Sequence, residues 1–199
     1  MTKLALKPGT LIVLEGLDKT GKTTQSQELR RLFDLSTTRH VHMPSGFTAF
    51  TDETYSMLES SIRTPQNGLA KQLAHLACHA ESVPQITELL ESTAVILDRW
   101  WWSTLAYGWY SGDISATSIT ESTYRALIDG IWSELKPSVV FLFDRPYDED
   151  ANNSDPILAG YRLIAAADPG AVLVPQANPE IVTSFILDEL RRRSLLATI

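Results

Sequence analysis

The segment Gly16-Leu17-Asp18-Lys19-Thr20-Gly21-Lys22-Thr23 fills every position of the pattern G-x-x-x-x-G-K-[ST]. These residue types serve one kind of chemistry together. Gly16 and Gly21 let the backbone curl so that successive N–H groups point at one phosphate. A helix starting near Lys22 would add its positive N-terminal end. The Lys22 ammonium can reach the β- and γ-phosphates of a nucleotide, and the Thr23 hydroxyl can ligate Mg²⁺. Lys19, Thr20 and Thr24 complete the set of expected ATP contacts around this loop. The loop does not choose a reaction, because ATPases, GTPases and small-molecule kinases all use it.

A second pair, Asp98-Arg99, follows the apolar run Ala94-Val95-Ile96-Leu97. A carboxylate there can face the Mg²⁺ site, directly or through water. Arg99 can hold a phosphate oxygen in fork geometry. Asp144-Arg145-Pro146 closes another apolar run in the same way. Arg145 is a candidate ATP contact there, and a structural salt pair is the competing reading.

These groups need elements to position them. Leu11-Ile12-Val13-Leu14 is short and uninterrupted, as a strand covered on both faces reads. Residues 94–97, 139–143 and 171–174 repeat that pattern, and Val41–Pro44 reads as a further short strand. Helical spacing is expected over 22–35, 52–63, 69–81, 120–135, 157–167 and 179–194. Pro84 is expected to open or kink a separate helix near 84–92. Strands alternating with helices predict an α/β fold, a parallel sheet of about five strands with helices on both faces. Ligands in such sheets sit at the carboxyl ends of the strands, where Gly16, Asp98 and Asp144 fall.

The 199 residues suit a single domain spanning 1–199. One cysteine, Cys78, excludes a disulfide within the chain and fits a reducing compartment. No run approaches the roughly 18–20 apolar residues of a membrane span, and no leader pattern stands at the start. A cytoplasmic protein with no membrane partner is therefore expected. Seventeen basic residues against 24 acidic ones leave a net charge of −7, so bulk charge does not draw the chain to nucleic acid. The cluster Trp100-Trp101-Trp102 with Trp109 and Tyr110 could stack on bases, but packing beside the sheet is the favoured reading. Arg191–Arg193 reads as a solvated helix end.

Leu11–Thr24 (LIVLEGLDKTGKTT) with Gln25, then Val95–Ser103 (VILDRWWWS) and Ala106-Tyr107, resembles the thymidylate kinase family. The resemblance runs in order over residues 10–145. It implies the three-layer P-loop kinase fold and transfer of the ATP γ-phosphate to a pyrimidine deoxynucleoside monophosphate. On that reading Asp18 contacts the acceptor sugar, and Lys19 lies near the transferred phosphoryl. Arg99 grips the acceptor phosphate, Tyr107 packs under the sugar or base, and Trp100 takes the place of the family's ring after Asp-Arg. Placing Val83-Pro84 on the family's matching pair puts His75 and His79 in the base pocket, four residues apart on one helix face. A homodimer is also implied.

Three departures from the family pattern stand out. Pro44 is followed by Ser45-Gly46-Phe47, where the family has a phosphate-clamping arginine. His75 and His79 replace an aromatic residue and an arginine. The lid near 146–160 is short and acidic, with no arginine between Arg145 and Arg162. Less charge around an acceptor phosphate keeps a second reading open. In it the acceptor is a hydroxyl, on a deoxynucleoside or a 5-hydroxymethyl-pyrimidine, free or in DNA. Such a reaction leans on a general base, for which Glu15, Asp18 and Asp98 are the candidates. Glu15 counts among the acceptor-side residues. A non-kinase NTPase module is the third reading.

Overall fold

The computed structural model describes residues 3–44 and 46–197. Ser45, the position of the missing clamp, lies outside the described residues. Among the described residues, five strands form one parallel sheet in the order β2-β3-β1-β4-β5. They are β1 (Leu11–Gly16), β2 (Thr38–His42), β3 (Ala94–Asp98), β4 (Val139–Phe143) and β5 (Ala171–Leu173). The helices are α1 (Lys22–Leu32), α2 (Ala49–Leu58), α3 (Gly68–Leu90), α4 (Trp101–Leu105), α5 (Glu121–Trp132), α6 (Asp155–Ala167) and α7 (Pro179–Arg192). A π-helical turn, Ala106–Tyr110, continues α4.

The three central strands are buried along their whole length, as their uninterrupted apolar runs predict. Side chains alternate across a strand, so each run feeds two cores. Leu11, Val13, Val95, Leu97, Val140 and Leu142 face one core with Trp102, Tyr124, Trp132 and Tyr161. Ile12, Leu14, Ile96, Phe141 and Phe143 face the other with Leu29, Val182, Ile186 and Leu190. The first core is filled from α3 to α6, the second from α1 and α7.

Several boundaries differ from the sequence reading. β2 starts at Thr38, three residues earlier than expected, and ends before Met43. Its polar start pairs with β3, Thr38 beside Ala94, at the sheet edge. Residues 69–81 and 84–92 are one helix rather than two, with Pro84 inside it. Leu76, Cys78, Ser82 and Ile86 are buried on both sides of that proline, so packing carries the helix through it. α2 begins at Ala49 because Thr48 and Thr51 form a reciprocal capping box. β5 was read as buried, but it is a half-buried edge strand whose Leu173 is 51% exposed.

Trp100 and Trp102 are buried in the first core, in keeping with the packing reading. Cys78 is fully buried. Arg191, Arg192 and Arg193 pair with Asp188 and Glu189 at the end of α7. Among the described residues, no helix is long and apolar enough to cross a membrane.

Candidate active site

The phosphate loop leaves β1 at Gly16, where φ is 133°. A Cβ there would meet the Phe143 carbonyl oxygen at 2.0 Å, so only glycine lets β1 and β4 stay paired at this point. Gly21 caps α1 in the left-handed region, at φ 89°. Thr20 Oγ1 donates to the Leu17 carbonyl at 2.8 Å and pins the turn from inside. Lys22 follows with 5% exposure, its Nζ donating to the Leu17 carbonyl. Burial pushes its ammonium down to about 8, with the Arg99 charge adding to that effect. Thr23 and Thr24 are exposed in the first turn of α1.

Asp98 ends β3 next to this loop. Burial works against its charge, but the hydrogen bond and charge of His42, with Lys22 and Arg99, hold its carboxyl below the ordinary value. His42 Nδ1 stands 3.1 Å from Asp98 Oδ2, and His42 Nε2 stands 3.1 Å from the Tyr55 hydroxyl. Asp98 Oδ1 is buried without a hydrogen-bond partner among the described residues. An ionised carboxylate with a spare oxygen, next to a hydroxyl-bearing phosphate loop, fits Mg²⁺, which takes few protein ligands.

Arg99 lies at φ 73°, strained for a residue with a side chain. That turn sends the guanidinium back across the loop. It pairs with Asp18 Oδ1, donates to Ser103 Oγ at 3.1 Å, and sits 5.6 Å from the centre of the Tyr107 ring. Asp18, Arg99 and Tyr107 therefore meet in space, although 81 residues separate the first two.

One cleft of about 720 Å³ gathers most of the expected residues. Asp18 through Thr24 line one part, and Asp98, Arg99, Trp100 and Tyr107 line another. His75 and His79 reach it from α3. Burial is the main cause that pushes both imidazoles down, to about 4 for His75 and about 3 for His79. Both are neutral donors and acceptors at physiological pH.

Three expected site residues do not line the cleft: Gly16, which shapes the loop from beneath, Glu15 and Arg145. Glu15 is fully buried beneath the cleft and does not line it. Its carboxylate accepts from the Trp100 N–H at 2.7 Å, the Ser103 N–H at 3.0 Å and the Ser103 hydroxyl at 2.7 Å. The Tyr161 hydroxyl adds a bond at 3.3 Å. Glu15 thus ties β1 to the start of α4 and to α6, and its oxygens are spoken for. Arg145 does not line the cleft either. Its Nε stands 3.8 Å from Asp144, whose other partner is Arg162 at 2.8 Å.

The lid is the segment from Arg145 to Ser154, shorter than expected because α6 already begins at Asp155. It bends over the phosphate loop. Tyr147 N–H donates to the Lys19 carbonyl at 2.9 Å. Lys19 Nζ donates to the Glu149 carbonyl at 2.5 Å and lies 3.9 Å from Asp148 and Asp150. Lys19 therefore carries the positive charge between loop and lid. Sequence reasoning missed Ser103, Thr104, Trp132, His42 and Asn153. Only Ser103 had a local signal, at the end of the D-R-x-x-x-S run.

A family model for thymidylate kinase matches residues 14–154, which span the phosphate loop, Asp98-Arg99 and the lid. The thymidylate kinase of Desulforudis audaxviator is 25% identical over 193 residues, covering 86% of this chain and 85% of that one. That of Plasmodium falciparum is 28% identical over 155 residues, covering 75% and 68%. Among solved structures, the thymidylate kinase of Candida albicans superposes with a TM-score of 0.71 at 19% identity, over 100% of this chain and 97% of the other. That of Ehrlichia chaffeensis gives 0.72 at 23% identity, over 91% and 98%. These two likenesses bear on the fold, and the fold they share is the parallel sheet that brings β1 and β3 side by side at the cleft. With the matched segment covering both strand ends that build the site, the chain belongs to the thymidylate kinase family.

Proposed function

We propose that this enzyme transfers the γ-phosphate of ATP to the 5′-phosphate of dTMP, giving ADP and dTDP. The observation that carries the reading is the shared cleft onto which the phosphate loop, Asp98-Arg99 and the two α3 histidines all open. The curated relatives named above bear the same activity in their names. They do not favour a hydroxyl acceptor, a DNA substrate or a non-kinase module.

The loop N–H groups between Gly16 and Lys22 bind the β- and γ-phosphates, and Lys22 neutralises charge that builds on them. Mg²⁺, when bound, would supply positive charge against the charge that develops on the phosphates. Thr23 and Asp98 are the residues that would hold it. Arg99, released in part from Asp18, grips the acceptor phosphate with Tyr107 beneath it. An oxygen of that phosphate attacks the γ-phosphorus in line, and the bond to the β–γ bridging oxygen breaks. The electron pair leaves on ADP. A phosphate nucleophile needs no strong base, which suits a cleft whose buried Glu15 is already committed. Lys19 follows the transferred group from the lid side. The same reading carries a cytoplasmic location and a homodimer as expectations.

The test is a transfer assay with ATP and Mg²⁺ against dTMP, thymidine, 5-hydroxymethyl-deoxyuridine with and without its 5′-phosphate, and hydroxymethyluracil-containing DNA. Label on dTMP is the expected result. Label confined to a nucleoside or to DNA would overturn the reading.

A further inference from the structure

His79 meets Trp132 across the first core. Trp132 ends α5 with 3% exposure, and its ring stands edge-on to the imidazole with centroids 5.3 Å apart. Its Nε1–H donates to His79 Nδ1 at 3.1 Å. An indole nitrogen can only donate, so Nδ1 must accept. A neutral imidazole carries one proton, and that proton is left on Nε2. Burial keeps the ring neutral, with His75 nearby adding to the effect.

The direction then passes to the next group. His79 Nε2 stands 3.4 Å from Thr104 Oγ1. With its proton on Nε2, His79 donates and the Thr104 oxygen accepts. The Thr104 proton is left to point away from His79. The Thr104 main-chain carbonyl is occupied by the Tyr124 hydroxyl at 3.2 Å, which fixes the backbone of α4 at this point. His79 and Thr104 both line the cleft, together with Trp100 and His75.

We propose that Trp132 is a positioning residue that sets the direction of a buried hydrogen-bond chain, Trp132 to His79 to Thr104, so that the chain presents an uncharged donor to the acceptor's base. This rests on the acceptor reading above. A ring carbonyl satisfies a donor. An exocyclic amine is itself a donor and leaves the end of the chain unpaired, a mismatch that discriminates strongly in a closed site. The chain selects a keto-pyrimidine such as dTMP over an amino-pyrimidine such as dCMP. It does so with no charge in the base pocket, although Trp132 never touches the substrate.

The first measurement is the histidine ¹⁵N spectrum of the substrate-free protein. There are four histidines, and His79 is assigned by the signal that His79→Gln removes. The expected tautomer carries its proton on Nε2, and Trp132→Phe should shift it toward a mixture. A proton on Nδ1 in the wild-type protein overturns the proposal. The second measurement is the ratio of kcat/KM for dTMP to that for dCMP. It should fall roughly fivefold in Trp132→Phe and in Thr104→Val, and stay in place in Thr104→Ser, which keeps the hydroxyl. An unchanged ratio in Thr104→Val overturns the proposal, and this variant decides should Trp132→Phe fail to fold. No transfer to dTMP at all would sink the acceptor reading, while the tautomer still reports whether the chain runs in the stated direction.

Discussion

Asn153 grips the backbone of Asp18 with both ends of its amide. Its Oδ1 accepts from the Asp18 N–H at 3.0 Å, and its Nδ2 donates to the Asp18 carbonyl at 2.9 Å. A lid side chain thus copies the pairing of a neighbouring strand and docks onto the phosphate loop. Asn153→Ala should loosen the lid, leaving the Tyr147 and Lys19 bonds between lid and loop in place. Two part-buried hydrogen bonds represent about 1–2 kcal/mol. The expected outcome is a rise of roughly five- to tenfold in KM for ATP, with a smaller change in kcat, read by steady-state kinetics. An unchanged KM would separate the lid from nucleotide binding.

Lys22 is charged in a place that disfavours charge. Its ammonium is pushed down from 10.5 to about 8 by burial first and Arg99 second. Between these values the unfolded chain binds more protons than the folded one, so stability rises with pH across that window. Below about pH 8 the full cost of the buried charge is present. Lys22→Met should therefore raise the melting temperature of the ligand-free protein at pH 7 by about 2–4 °C while removing transfer. Calorimetry and the transfer assay read the two halves. A variant that melts lower would show that the bond to the Leu17 carbonyl outweighs the buried charge.

Acid should unfold this protein through its histidines. Burial pushes His79 down to about 3, and His40 and His75 to about 4, from an ordinary 6.5. Their folded forms stay neutral while the unfolded chain takes up protons. Stability is thus full above about pH 6.5 and falls as pH drops toward 4 and then 3. His79→Gln removes one of these groups, so the slope of stability against pH between 6 and 4 should flatten by about one proton's worth. Urea unfolding at a series of pH values measures it. A slope equal to that of the wild type would mean that His79 is protonated in the fold.

Gly16→Ala should not give a native protein. The added carbon would stand 2.0 Å from the Phe143 carbonyl, at a φ of 133° that side chains avoid. Backbone cannot yield there without breaking the β1–β4 register, a loss of more than about 4 kcal/mol. Soluble yield and circular dichroism check it. Gly112→Ala is the control, since nothing lies within 4 Å of its Cβ position and it shares a positive φ.

The parts of this site that could be read in the sequence are local. The phosphate loop needs eight consecutive positions, and Asp98-Arg99 follows directly on an apolar run that only a buried strand explains. β4 matches its expected limits because Val139–Phe143 is apolar throughout and bounded by Pro137 and Asp144. β2 was shifted because Thr38, Arg39 and His40 are polar, and an edge strand needs little apolar surface. Glu15 was placed on the substrate side because its burial depends on α4 and α6 crossing beneath the loop, which no local pattern encodes. The bond from Trp132 to His79 joins positions 53 residues apart, and neither residue type announces the other.

The two feet of the lid stand on the same block. Asp144 at its start is bonded to Arg162, and Tyr161, one residue earlier on α6, is bonded to Glu15 and to Ser103. Both ends of residues 145–154 are thus riveted to the floor under the phosphates. A strap tied at both ends cannot swing aside as an arm does. Its crown can lift only by as much slack as its own contour allows, and closing it again orders few residues. Under the proposed function, nucleotide exchange would then need only a hatch that lifts a short way on a fixed frame, the same frame that supports the floor of the cleft.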